Sequence, residues 1–203
     1  MERTKDTYKT IAEASPETLF KERGSKFFGY AFPVDTEDEI KAYLEKLKKE
    51  HHTARHFCYA WQLGKKYDRY RANDDGEPNN SAGMPIYGQL QAFGLTNVLV
   101  VSVRYFGGTK LGVGGLIQAY KTSAKLALES ALIKLRTINT EFLLVFEYAE
   151  MNTVMRSIKD EKIKLISQQM ETRCHFTISV RKKEAGRIFT LFENTYKVTI
   201  KKI

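Results

Sequence analysis

Nine of the thirteen glycines lie between residues 76 and 115, and after residue 136 only Gly186 remains. Backbone that takes positive φ or approaches another chain segment closely is therefore concentrated in one stretch. Its densest part is Arg104-Tyr105-Phe106-Gly107-Gly108-Thr109-Lys110-Leu111-Gly112-Val113-Gly114-Gly115-Leu116. This run follows an apolar segment, residues 97–103, that predicts a strand covered on both faces. An Ala-rich pattern after it predicts a helix from about residue 114 to residue 133. The fall in glycine after this point places a domain boundary near Leu135-Arg136-Thr137, giving residues 1–136 and 137–203.

Other elements follow from local signals. The aromatic-rich residues 25–32, closed by Pro33, predict a strand. Thr36-Glu37-Asp38-Glu39 is a capping box, and Ile40, Tyr43, Leu44 and Leu47 continue it at helical spacing. Residues 56–63 predict a second strand, paired with 65–72 through a turn at Gly64. A polar loop over 73–83 and a short helix over 85–93 come next. In the tail, the predicted order is strand 142–147, helix 151–158, strands 163–168 and 174–180, helix 184–192 and strand 196–200. The order βαββαβ is that of a ferredoxin-like split sandwich. The fold class is thus α+β.

Charge narrows the partners. Lys and Arg number 33 against 24 Asp and Glu, a net +9, and the two halves carry +5 and +4. Nucleic acid, ribosomes and phosphorylated ligands are natural partners of such a chain. No apolar run approaches the roughly 18 residues of a membrane span, and no apolar h-region follows the first residues. Cys58 and Cys174 supply no disulfide framework. The chain reads as cytoplasmic, with no membrane partner.

Three groups of residues carry chemistry. In the glycine-rich run, free N–H groups at a helix start, with Arg104 and Lys110 beside them, form a candidate anion or RNA site. Its members are Arg104, Gly107, Gly108, Lys110, Gly112, Gly114 and Gly115, with Lys121 and Lys125 extending the positive surface. No Gly-Lys-Ser/Thr triplet ends the run, so it is not a Walker A loop, and Ile117 breaks the dinucleotide fingerprint. Asp74-Asp75-Gly76-Glu77-Pro78 is the second group. It does not have EF-hand spacing, and reads as a docking patch or as carboxylates that pair with Arg104 and fix the glycine run. His56 and Cys58, on one face of a strand, form the third group. They lack the further ligands of a metal site and the orienting acid of a Cys–His nucleophile. No metal and no cofactor are expected.

Three motifs in order carry a resemblance. His56-Phe57-Cys58-Tyr59-Ala60, then Asp74-Asp75-Gly76-Glu77-Pro78 with Ser81-Ala82-Gly83-Met84-Pro85, then the run from Arg104 through Leu116 with Ala119-Tyr120, resemble the IMPACT family, including its bacterial YigZ-type members. The resemblance implies an N-terminal domain like the second domain of ribosomal protein S5 and elongation factor G domain IV. It implies a ferredoxin-like C-terminal domain similar to elongation factor G domain V, and a role in translational control.

The leading expectation is a non-enzymatic protein that binds RNA, the ribosome or a translation-associated protein, without DNA sequence specificity. Arg181, Lys182 and Lys183 would add a second basic surface. One alternative is an enzyme acting on a phosphorylated small molecule through the glycine run. Another is a protein–protein module regulating a kinase or ribosome-associated factor through the acidic loop.

Overall fold

The computed structural model describes residues 6–203, which form two compact units, Tyr8–Arg136 and Thr137–Ile203, with Asp6 and Thr7 grouped with the second. The first holds strands β1 (Thr7–Ile11), β2 (Thr18–Glu22), β3 (Ser25–Pro33), β4 (His56–Leu63), β5 (Arg69–Asn73), β6 (Val98–Tyr105) and β7 (Ile133–Thr137). Its helices are α1 (Glu37–Glu50), α2 (Gly83–Phe93) and α3 (Gly112–Glu129).

Five strands form an antiparallel sheet in the order β2-β3-β6-β4-β5. The apolar strand β6 is its centre, and the alternation of a strand divides its side chains between two cores. Val98 and Val100 join Phe27, Ala31, Cys58, Ala60, Ile86, Leu90 and Tyr120 on the side of α2 and α3. Leu99, Val101 and Val103 join Phe32, Ile40, Leu47 and Trp61 on the side of α1. The capping box that starts α1 is present in both directions, with Glu39 N donating to Thr36 Oγ1 at 3.2 Å and Thr36 N to Glu39 Oε2 at 3.3 Å.

One boundary differs from the sequence expectation. The helix expected to reach residue 133 stops at Glu129, and Ile133–Thr137 is instead strand β7, paired with β1 in a separate two-stranded sheet. Alternation in Ile-Lys-Leu-Arg-Thr suits an extended strand as well as a helix end, and pairing with the distant residues of β1 decides it. The short strands β1 and β2 were not anticipated either. Each is five residues of mixed character, too little for a periodic signal.

The second unit runs β8 (Asn139–Phe146), α4 (Met151–Asp160), β9 (Lys164–Met170), β10 (Cys174–Arg181), α5 (Ala185–Glu193) and β11 (Val198–Lys202). Its antiparallel sheet has the order β11-β8-β10-β9. Phe142, Leu144, Phe146, Phe176 and Ile178 pack one face against Val154, Ile158, Ile188 and Phe192 from the helices. Among the described residues, no helix is long and apolar enough to cross a membrane.

Candidate functional site

Strands β4 and β6 pair with His56 opposite Arg104 and Cys58 opposite Ser102. These positions share the parity of Val98 and Val100, so their side chains turn to the sheet face covered by α2 and α3. Arg104 therefore enters the protein rather than the solvent, and is only 5% exposed. Its Nη1 donates to Glu77 Oε1 at 2.7 Å, and Tyr120 Oη donates to the same oxygen at 2.7 Å. Both side chains of the ion pair are about nineteen-twentieths buried (6% and 5% exposed). The guanidinium lies 5.5 Å from the Phe27 ring and 5.6 Å from the Phe106 ring. Of the two readings of the acidic loop, the pairing of a carboxylate with Arg104 is the geometry found.

The other carboxylates of that loop also turn to the protein's own backbone. Asp74 Oδ1 accepts from Ala82 N at 2.9 Å and Gly83 N at 2.8 Å, and its Oδ2 from Asn80 N at 2.8 Å. It thereby caps the start of α2, which has no side-chain cap of its own. Asp75 Oδ2 accepts from Phe57 N at 2.7 Å, while the Asp75 carbonyl accepts from His56 Nδ1 at 2.9 Å. Cys58 Sγ donates to the Asp74 carbonyl at 3.0 Å. Asp74, Asp75 and Glu77 thus staple β4, β6, α2 and α3 together, while Gly76, at φ +84°, shapes the turn between them.

Burial governs the chemistry of this cluster. It pushes the Cys58 thiol well above its ordinary range, and Glu77 and Asp75 nearby reinforce the shift. Burial also raises the Tyr120 hydroxyl, with Cys58 and Glu77 adding to the effect. A thiol held protonated is a poor nucleophile. Among the described residues, no group of three His, Cys, Asp or Glu side chains gathers as a metal site.

The glycine run is open where the acidic loop is closed. Residues 106–110 are all exposed, as is Lys121 one face along α3. Gly107 is explained by packing: a Cβ there would lie 1.8 Å from the backbone carbon of Gly24. Gly107 N also donates to Ser25 Oγ at 3.2 Å. Gly108 and Gly112 adopt φ of +88° and +70°, a conformation that favours glycine. A Cβ at Gly115 would come within 3.1 Å of the Leu111 Cβ. Gly114 has an ordinary φ, and its Cβ would meet nothing within 4 Å. It sits in the first turn of α3, which begins with no side-chain cap and no acidic residue.

The expected anion-binding set therefore divides. Lys110 and the glycines lie at an exposed helix start, with Lys121 exposed more than two turns further along α3, whereas Arg104 is an internal cation balanced by Glu77. Lys125 pairs with Glu129 at 3.6 Å, and Arg181 with Asp6 at 2.6 Å. Sequence reasoning missed Gly24 and Ser25 as partners of the run. The Arg23-Gly24 turn between two strands, with φ of +44° and +79°, is the signal that β2 would have exposed.

Comparison with known proteins matches this architecture to a family. The profile of the Impact N-terminal domain matches residues 23–128, which span both loops and α3. An IMPACT family member of Haemophilus influenzae is 32% identical over 161 residues, covering 78% of this chain and 78% of that protein. The IMPACT family member YigZ of Escherichia coli is 36% identical over 147 residues, covering 71% of this chain and 72% of YigZ. A crystal structure described as a hypothetical protein superposes with a TM-score of 0.76 at 26% identity, covering 98% of each chain. The domain match and these bacterial relatives together show that the chain belongs to the IMPACT family, as a YigZ-type member.

Proposed function

We propose that the protein is a non-enzymatic regulator of translation that binds RNA, on or off the ribosome, at the exposed start of α3. The observation that carries this reading is Gly114. Packing or backbone conformation accounts for Gly107, Gly108, Gly112 and Gly115, but nothing in the protein itself requires a glycine at 114. A side chain is absent at the uncapped, exposed start of a long helix that follows Lys110 directly, with Lys121 further along the same helix. Such a start attracts phosphate through its unpaired donors and its dipole. The net charge of +9 supports a polyanionic partner, and membership of the IMPACT family is consistent with one in translation.

The domain folds follow the same reading. The order βαββαβ with strands arranged β11-β8-β10-β9 supports a ferredoxin-like fold for residues 137–203. For residues 1–136 we read a domain like the second domain of ribosomal protein S5. The inward carboxylates of residues 74–77 disfavour an acidic docking patch, and the protonated Cys58 offers no nucleophile.

The test is co-sedimentation with ribosomes across a salt series. Lys110→Ala with Lys121→Ala is expected to weaken binding and reduce the slope of log affinity against log salt by about 2. Gly114→Ala is expected to stabilise the protein by roughly 0.5–1 kcal/mol while weakening binding. An alanine at 114 that stabilises the fold and leaves binding intact would remove the site from the helix start.

A further inference from the structure

A second feature of the same unit lies beside the first residues of the glycine run. Thr53, Arg55, His56, Arg104, Tyr105 and Phe106 line a cleft of about 330 Å³. It opens where the chain enters β4 and leaves β6, neighbours that their register brings side by side. No carboxylate is among the lining residues. Glu77 balances Arg104 from within the protein, so Arg55, exposed and without a carboxylate partner among the described residues, supplies the unbalanced positive charge.

We propose that this cleft binds a nucleotide, with its phosphate on Arg55, its ribose at His56 and its base on Phe106. The tautomer of His56 follows from its partner. A carbonyl only accepts, so the Nδ1 bonded to Asp75 O carries the hydrogen. In the neutral ring Nε2 is then an acceptor, and it has no partner among the described residues. A ribose hydroxyl is the donor that suits it. Phe106 is 57% exposed with Arg104 near its ring, and an exposed aromatic at the rim of a basic cleft is a stacking surface for a base. Arg104 itself holds the one buried side-chain donor that lacks a partner among the described residues, its Nε. That atom is closed off from solvent, so the phosphate contact in the cleft falls to Arg55.

The inference deepens the reading above by naming a ligand chemistry, and takes from it only the expectation that the nucleotide belongs to RNA. The same chemistry occurs in a free nucleotide and in a single strand. Titration of the whole protein with uridine 5′-monophosphate, uridine, inorganic phosphate and hexauridylate, followed by NMR, separates these cases. The monophosphate is expected to shift the resonances of Arg55, His56 and Phe106, and Arg55→Ala to weaken it about tenfold. Phe106→Ala is expected to weaken the monophosphate and leave inorganic phosphate unchanged. Hexauridylate tighter than the monomer assigns the cleft to a strand, and equal affinity assigns it to a free nucleotide. Uridine binding as tightly as its monophosphate overturns the proposal, as does the absence of any shift at these residues up to about 10 mM. Failure of ribosome binding with the nucleotide shifts intact sinks the earlier reading alone, and the converse result sinks this one alone.

Discussion

Arg104 illustrates how far one residue's surroundings decide its role. An arginine opening a glycine-rich run invites a phosphate, yet strand parity carries this one inward to Glu77 and beneath Tyr120. The pair is buried, so its stabilising worth is modest while the cost of breaking it is large, because one charge is then left without compensation. Glu77→Gln alone is expected to destabilise the protein by about 3–5 kcal/mol. Arg104→Met combined with Glu77→Gln is expected to cost far less than the two single changes added together, since neither charge then remains alone. Urea unfolding of the three variants measures this coupling directly. Additive costs would mean that the two side chains do not depend on each other.

At the scale of elements, strong local signals and distant partners behave differently. The strand over β4, the both-faces-covered β6, the boxed start of α1 and the alternating order of the tail were legible because each is written in contiguous residues. What escaped was set from afar. Nothing near Gly83 announces the start of α2, because its cap is Asp74, nine residues upstream. The end of α3 and the nature of β7 depend on β1, more than a hundred residues away. The candidate site was legible to the same degree: its motifs lay in the sequence, but the sorting of Arg104 inside and Lys110 outside needed the sheet. Glycines make the point testable. Gly107→Ala drives a side chain into the backbone of Gly24 and is expected to lower the melting temperature sharply, loosening the loop from the β2–β3 turn. Gly88→Ala, in the middle of α2 with nothing within 4 Å of its Cβ, is expected to stabilise by about 0.5–1 kcal/mol. Thermal unfolding of the two variants compares them, and a harmless Gly107→Ala would mean that the loop stands free of that turn.

For the molecule as a whole, the question is whether it folds as one body or two. The two units build their cores from different side chains, with Phe27, Val100 and Tyr120 on one face and Leu99 and Trp61 on the other face of the five-stranded sheet, and Leu144, Phe176 and Phe192 in the second unit. Cores that share no side chains give cooperative units whose opening free energies are separable. We propose on this ground that the sequence boundary at residues 136–137 is also a boundary of cooperativity. Phe176 is fully buried on β10, one of the two inner strands of its sheet, and Phe176→Ala removes about 3–5 kcal/mol from the core that holds it. Amide protection in β8 and β10 is therefore expected to fall by about two to four orders of magnitude, while the amides of β3 and β6 keep theirs. Native-state hydrogen exchange reads both sets in one sample. A parallel fall in β3 and β6 would make the protein a single cooperative body and would place the boundary elsewhere, whereas a fall confined to residues 137–203 leaves the first unit folded with its neighbour unfolded.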